Sequence, residues 1–163
     1  MIRRALPDDE VIIRHCAEDA YARYVPRIGR KPAPMVADFA ASIERGHVFV
    51  AENDENAIVG FVICYRAHGC LFIENVAVFR RHEGQGFGRS LLSFCEERAI
   101  GLGLPRLRLY TNAKMTENLE MYPKLGFVET ERRHEEGFDR IYFEKALVLK
   151  PRKSVTRGAV RRG

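Results

Sequence analysis

Gly84, Gly86 and Gly88 stand at alternate positions between a run of alternating apolar residues and an amphipathic segment, in the stretch FIENVAVFRRHEGQGFGRSLL at residues 72–92. Glycine frees the backbone to take unusual dihedrals and lets an anion reach the peptide amides without a Cβ in the way. A helix that starts there adds unpaired amide donors and a positive dipole end, worth about 0.3–1 kcal/mol per nearby anionic group. Residues Gly84, Gln85, Gly86, Phe87, Gly88, Arg89 and Ser90 thus have the makings of a cradle for a phosphate-bearing ligand. A tight strand-to-helix turn with no ligand is the plainer reading of the same glycines. Two common nucleotide loops do not fit. The GxGxxG pattern counted from Gly84 ends on Arg89, and counted from Gly86 it ends on Leu91. A GK[ST] ending is absent.

Other reactive residue types are scattered. The five histidines lack metal-ligand spacing, so no metal is expected. Cys16, Cys64, Cys70 and Cys95 show no CxxC and sit in hydrophobic segments, as reduced thiols of a cytoplasmic protein would.

The elements that must position the loop follow from patterning. The chain has 163 residues, 46% hydrophobic, enough for one domain with a real core and too apolar for disorder. No apolar run approaches the ~20 residues of a membrane-spanning helix, and the first residues, MIRRALPDDEV, lack a signal-peptide core. The net charge of +5 is unevenly placed. Residues 150–163 hold six basic residues and no acid, while 1–149 carries 22 acidic residues against 21 basic ones. That division predicts a nearly neutral domain at 1–149 and a flexible basic tail at 150–163. Contact with RNA, DNA or an acidic surface is expected, if anywhere, only through the tail.

A short strand is expected at 2–6, a turn with a carboxylate helix cap at Pro7-Asp8-Asp9, and a helix to about Val25. The prolines of 26–34 read as a loop, and 35–45 as a second helix ended by Gly46. Strands at 47–52, 57–66 and 71–79 form a meander. A helix from about Gly86 to Ile100 follows, then a half-buried strand through Leu107, Leu109 and Thr111. A short helix at 116–124 and a closing hairpin across Glu135-Glu136-Gly137 complete the chain. The mixture predicts an α+β fold with a mixed, mostly antiparallel sheet flanked by helices.

On three motifs the sequence resembles the GNAT superfamily of acetyl-CoA-dependent N-acetyltransferases. Val76-Ala77-Val78 followed by Gly86-Phe87-Gly88-Arg89-Ser90-Leu91-Leu92 matches its central motif. The start IRRALPDD is similar to its first strand and turn, and Met121-Tyr122-Pro123-Lys124-Leu125-Gly126-Phe127 to its LYxKLGF signature. The resemblance covers about 2–149, in order and spacing. It departs at Glu83, where the family usually has Gln or Arg; Gln85 and Arg89 are then the alternative phosphate donors.

The resemblance implies a GNAT-like single domain that binds acetyl-CoA and moves acetyl to a primary amine by direct attack, with no cysteine nucleophile. It implies that the strand of Val76, Ala77 and Val78 receives the pantetheine arm. Tyr122 would be the general acid near the sulfur, and Glu74, expected on one strand face with Val76 and Val78, the general base. Asn118 would bond the pantetheine, with Asn112 as the competing candidate. Tyr21 and Tyr24, beside Arg27, Arg30 and Lys31, would contact the acceptor. A small-molecule amine is the acceptor expected. Acetylation of a protein N-terminus or lysine, and a non-catalytic coenzyme A-binding or RNA-associated module, stay open, as does a homodimer.

Overall fold

The computed structural model describes residues 1–149, so the basic segment at 150–163 lies outside the described residues. Seven strands form one sheet: β1 (Ile2–Arg4), β2 (Val48–Glu52), β3 (Ile58–Ala67), β4 (Cys70–Val78), β5 (Arg106–Asn112), β6 (Val128–Glu135) and β7 (Phe138–Ala146). Their order is β1-β2-β3-β4-β5-β7-β6. Every neighbouring pair is antiparallel except β4 with β5. That exception fits its connection, because parallel neighbours need a crossover and the helix between β4 and β5 supplies one. The single domain is thus α+β and mostly antiparallel, as the patterning predicts.

The described residues form five α-helices, α1 (Glu10–Tyr21), α2 (Val25–Ile28), α3 (Phe39–Glu44), α4 (Phe87–Gly101) and α5 (Thr116–Lys124), of which α1, α3, α4 and α5 put buried side chains into the cores on the sheet. On one face, Ile13 and Cys16 of α1 and Phe39 and Ile43 of α3 meet Val48, Val50, Phe61 and Ile63. On the other, Leu91, Cys95 and Ala99 of α4 meet Val62, Leu71, Leu107 and Leu109. These are the helical and alternating positions of the sequence, and burying them is what holds the layers together.

The first helical region differs from its sequence reading. α1 passes into a 3-10 turn at Ala22–Tyr24 and then into α2, which contains Pro26. Proline in a first helical turn removes a donor that has no partner anyway, so Pro26 starts a helix here instead of a loop. The second helix is shorter than expected and begins at Phe39, because Asp38 accepts a bond from the Ala41 amide and caps it there. Asp9 caps nothing. Its carboxylate accepts from the Leu6 amide at 2.7 Å and from Arg3 at 2.8 Å, tying the first turn back to β1.

Candidate active site

The one parallel junction of the sheet is short. β4 and β5 pair only at Leu71 with Leu107, Phe72 with Arg108 and Ile73 with Leu109. Beyond Ile73, β4 stays on β3, and beyond Leu109, β5 stays on β7. The two strands therefore part into a wedge. The Phe79 amide donates to the Val59 carbonyl, so by antiparallel alternation the main-chain groups of Val76 and Val78 face the wedge and not β3.

A β-bulge sits where the wedge opens. The β3 register passes from Ile63 opposite Asn75 to Cys64 opposite Ile73, which leaves Glu74 as the extra residue. Alternation shifts there by one. Leu71 and Ile73 belong to the core under α4, yet Val76 and Val78 pack on that same core and Ala77 on the opposite one. The sequence expectation of one shared face for Glu74, Val76 and Val78 is therefore corrected. Glu74 lies on the other face from the two valines, with its carboxylate 3.5 Å from the Tyr65 hydroxyl. Burial, with Glu74 next to it, pushes the Tyr65 phenol up to about 12. Tyr65 was missed in the sequence: it pairs with Phe72, and only the bulge two residues further along β4 brings Glu74 to its hydroxyl.

The wedge is the floor of a cavity of about 360 Å³. Its walls come from both sides of the sheet: Tyr122 from the core under α4, and Tyr21, Tyr24 and Met115 from the core under α1. The cavity thus passes between the strands from one face to the other, as a reaction joining two substrates needs. Val76, Ala77, Val78, Gly88, Arg89 and Asn118 line it, and so does Glu74. None of the four cysteines is in its lining.

At one end stands the amino terminus of α4. Gly86 is its N-cap residue at φ 89°, in the left-handed region, with no side chain to bond the first amides. The first intrahelical bond runs from Ser90 to the Gly86 carbonyl. The amides of Phe87, Gly88 and Arg89 are left for an incoming acceptor oxygen. Gly84 also has positive φ, at 76°. Gln85, Gly84 and Ser90 are exposed beside this end, outside the lining, while Phe87 turns inward onto the core.

Tyr122 is 5% exposed. Its ring packs edge-on to Phe127 at 5.4 Å and near Phe143 at 5.8 Å, on the α5 face it shares with Leu119 and Leu125. Its hydroxyl makes no hydrogen bond among the described residues, and the side chain borders the cavity. Burial pushes the phenol well above its ordinary value, with Tyr24 and Cys95 adding to the shift. Tyr21 donates from a hydroxyl 2.8 Å from Asn75 Oδ1 and 3.0 Å from the Val76 carbonyl, so it braces β4 as well as lining the cavity. Tyr24 is buried between the guanidinium groups of Arg23 and Arg27. The Asn118 amide donates to Thr111 Oγ1 at 3.2 Å, whereas Asn112 Oδ1 accepts from the Lys114 amide at 2.9 Å.

Two tethers cross the far side. Arg27 makes a bidentate pair with Glu117 at 2.7 and 2.8 Å. Arg30 donates to the Glu136 carbonyl in the β6–β7 turn, where a Cβ on Gly137 would stand 2.5 Å from its guanidinium. Arg27 and Arg30, which the sequence places beside the acceptor tyrosines, are thus engaged with the protein itself.

The model of the acetyltransferase (GNAT) family matches residues 13–127. The chain belongs to that family. Acetyl-CoA-dependent acetyl transfer is general for GNAT proteins. A mycothiol acetyltransferase of Jonesia denitrificans is 35% identical over 88 residues, covering 53% of this chain and 28% of that protein. The chain thus spans about a quarter of that relative's length. An acetyltransferase of Agrobacterium fabrum is 28% identical over 94 residues, 58% of this chain and 67% of its own. Among solved structures, the ribosomal-protein-S18-alanine N-acetyltransferase of Escherichia coli superposes with a TM-score of 0.74 at 21% identity, over 94% of this chain and 97% of its own. The PaiA N-acetyltransferase of Thermoplasma acidophilum, solved with coenzyme A, gives 0.71 at 15% identity over 90% and 98%. At these identities the structures show the GNAT fold. Among the described residues no helix is long and apolar enough to cross a membrane, and no cluster of metal-ligating side chains occurs.

Proposed function

We propose that this GNAT protein transfers acetyl from acetyl-CoA to the primary amine of a small molecule by direct attack. The observation that carries the reading is the wedge between β4 and β5, open beside the glycine-started α4 and bordered by Tyr122. The free amides at α4 suit a diphosphate, and the main-chain groups of Val76 and Val78 suit an amide-bearing arm laid along β4 as an added strand. A main-chain amide at Val76 would polarise the thioester carbonyl. The amine nitrogen forms its bond to the carbonyl carbon, and the carbon–sulfur bond breaks. Glu74, directly or through water, takes the proton that the nitrogen loses, and Tyr122 gives one to the departing sulfur. Tyr21 and Tyr24 form the acceptor wall, and Asn118 holds the donor arm.

The two tethers favour a compact acceptor over an extended peptide. Arg27–Glu117 and Arg30–Glu136 tie the α1–α3 connection to α5 and to the β6–β7 turn, where a peptide would need an open groove. The test is an acceptor screen over amines, amino acids and peptides with free N-termini, read by thiol release from acetyl-CoA. Turnover with small amines is the expected result. Turnover confined to peptides would replace the small acceptor by a protein amine, in keeping with the ribosomal-protein-S18-alanine N-acetyltransferase of E. coli.

The base role has its own test. Glu74→Gln keeps the side-chain size in the bulge and removes the proton acceptor, so kcat should fall by about 10²-fold or more with donor affinity retained. Full activity at neutral pH would assign proton removal to another group.

A further inference from the structure

Glu83 puts a carboxylate one residue ahead of Gly84, where the family pattern has a donor side chain. It is not alone there. The Arg23 guanidinium, sixty residues earlier in the 3-10 turn after α1, is ion-paired with it through Nη2. Both side chains line the cavity at the end where Gly88 and Arg89 also stand. Arg23 Nε is the one buried side-chain polar atom without a partner among the described residues. An unpaired carboxylate at the same spot would repel an anionic ligand. A second pair, Arg27 with Glu117, fixes the following turn to α5.

We propose that Arg23 is a donor-positioning residue: its pair with Glu83 neutralises the carboxylate beside the phosphate cradle and holds the wall that carries Tyr21 and Tyr24 against the donor loop. The inference rests on the acetyl-CoA reading above. It makes Glu83 and Arg23 one unit, so that losing the arginine alone is worse than losing both charges.

Calorimetric titration separates these cases, with acetyl-CoA and with acetyl-pantetheine, which has the thioester arm and no diphosphate. Arg23→Ala should weaken acetyl-CoA by about tenfold or more, and acetyl-pantetheine by no more than about twofold. Adding Glu83→Gln to Arg23→Ala should bring acetyl-CoA back to within about threefold of wild type, and Arg23→Lys, which keeps the charge, should stay within the same range. Equal losses with both ligands, or no rescue by Glu83→Gln, would mean that Arg23 serves only to hold the fold and would overturn the inference. Should wild type bind acetyl-pantetheine and not acetyl-CoA, the phosphate cradle falls and the inference with it. Should wild type bind neither, the acetyl-CoA reading itself falls.

Discussion

Gly86→Glu is expected to abolish the rise in melting temperature that acetyl-CoA gives the wild-type protein. Two effects act in the same direction. At φ 89° any side chain strains the turn into α4, and a carboxylate there competes for the amides of Phe87, Gly88 and Arg89 that face the ligand. For wild type, a ligand at a hundredfold its Kd adds about 2.7 kcal/mol to stability. In a domain of this size each kcal/mol moves Tm by about 2–4 °C, so the shift is readily measured. Gly86→Ala is the control, since it carries the strain without the charge and should keep part of the shift. A full shift in Gly86→Glu would move the phosphate site away from this loop.

Tyr122→Phe should lower kcat by about 10²- to 10⁴-fold while leaving the Kd for acetyl-CoA unchanged. The ring contacts with Phe127 and Phe143 survive the substitution, and only the hydroxyl bordering the cavity is lost. The raised phenol sets the sign of the pH dependence. A group whose proton is held more tightly than usual remains a neutral donor as pH rises through the ordinary tyrosine range, so deprotonation of Tyr122 should not produce an alkaline fall in rate below that range. Unchanged turnover in the phenylalanine variant would remove the acid role. A loss of donor binding together with turnover would assign Tyr122 to packing.

The periodic elements were legible because one residue's neighbours decide them. Leu91, Cys95 and Ala99 recur at helical spacing, and Leu107, Leu109 and Thr111 alternate. The glycine loop was legible for the same local reason. Boundaries set by a single capping bond were not, as Asp38 shows by starting α3 well inside the expected segment. The faces of β4 were misread, because a bulge is a property of two strands and Glu74 carries no mark of it. Arg23 with Glu83 and Arg30 with the Glu136 carbonyl were beyond reach, since only the folded chain brings such distant charges together. The three motifs in register still led to the family, because they report the main-chain geometry that the local pattern determines.

The shortness of the β4–β5 junction has a mechanical consequence. Three residue pairs at 71–73 and 107–109 join the two arms of the sheet, much as a pivot joins the jaws of a pair of tongs. The angle between the jaws is governed by what lies beneath the pivot, chiefly Leu71 and Leu107, which belong to the apolar layer under α4 and lie outside the cavity lining. The gauge of the opening is thus set by side chains that no substrate touches, and new acceptor sizes are reachable by repacking the floor while every reacting group stays as it is.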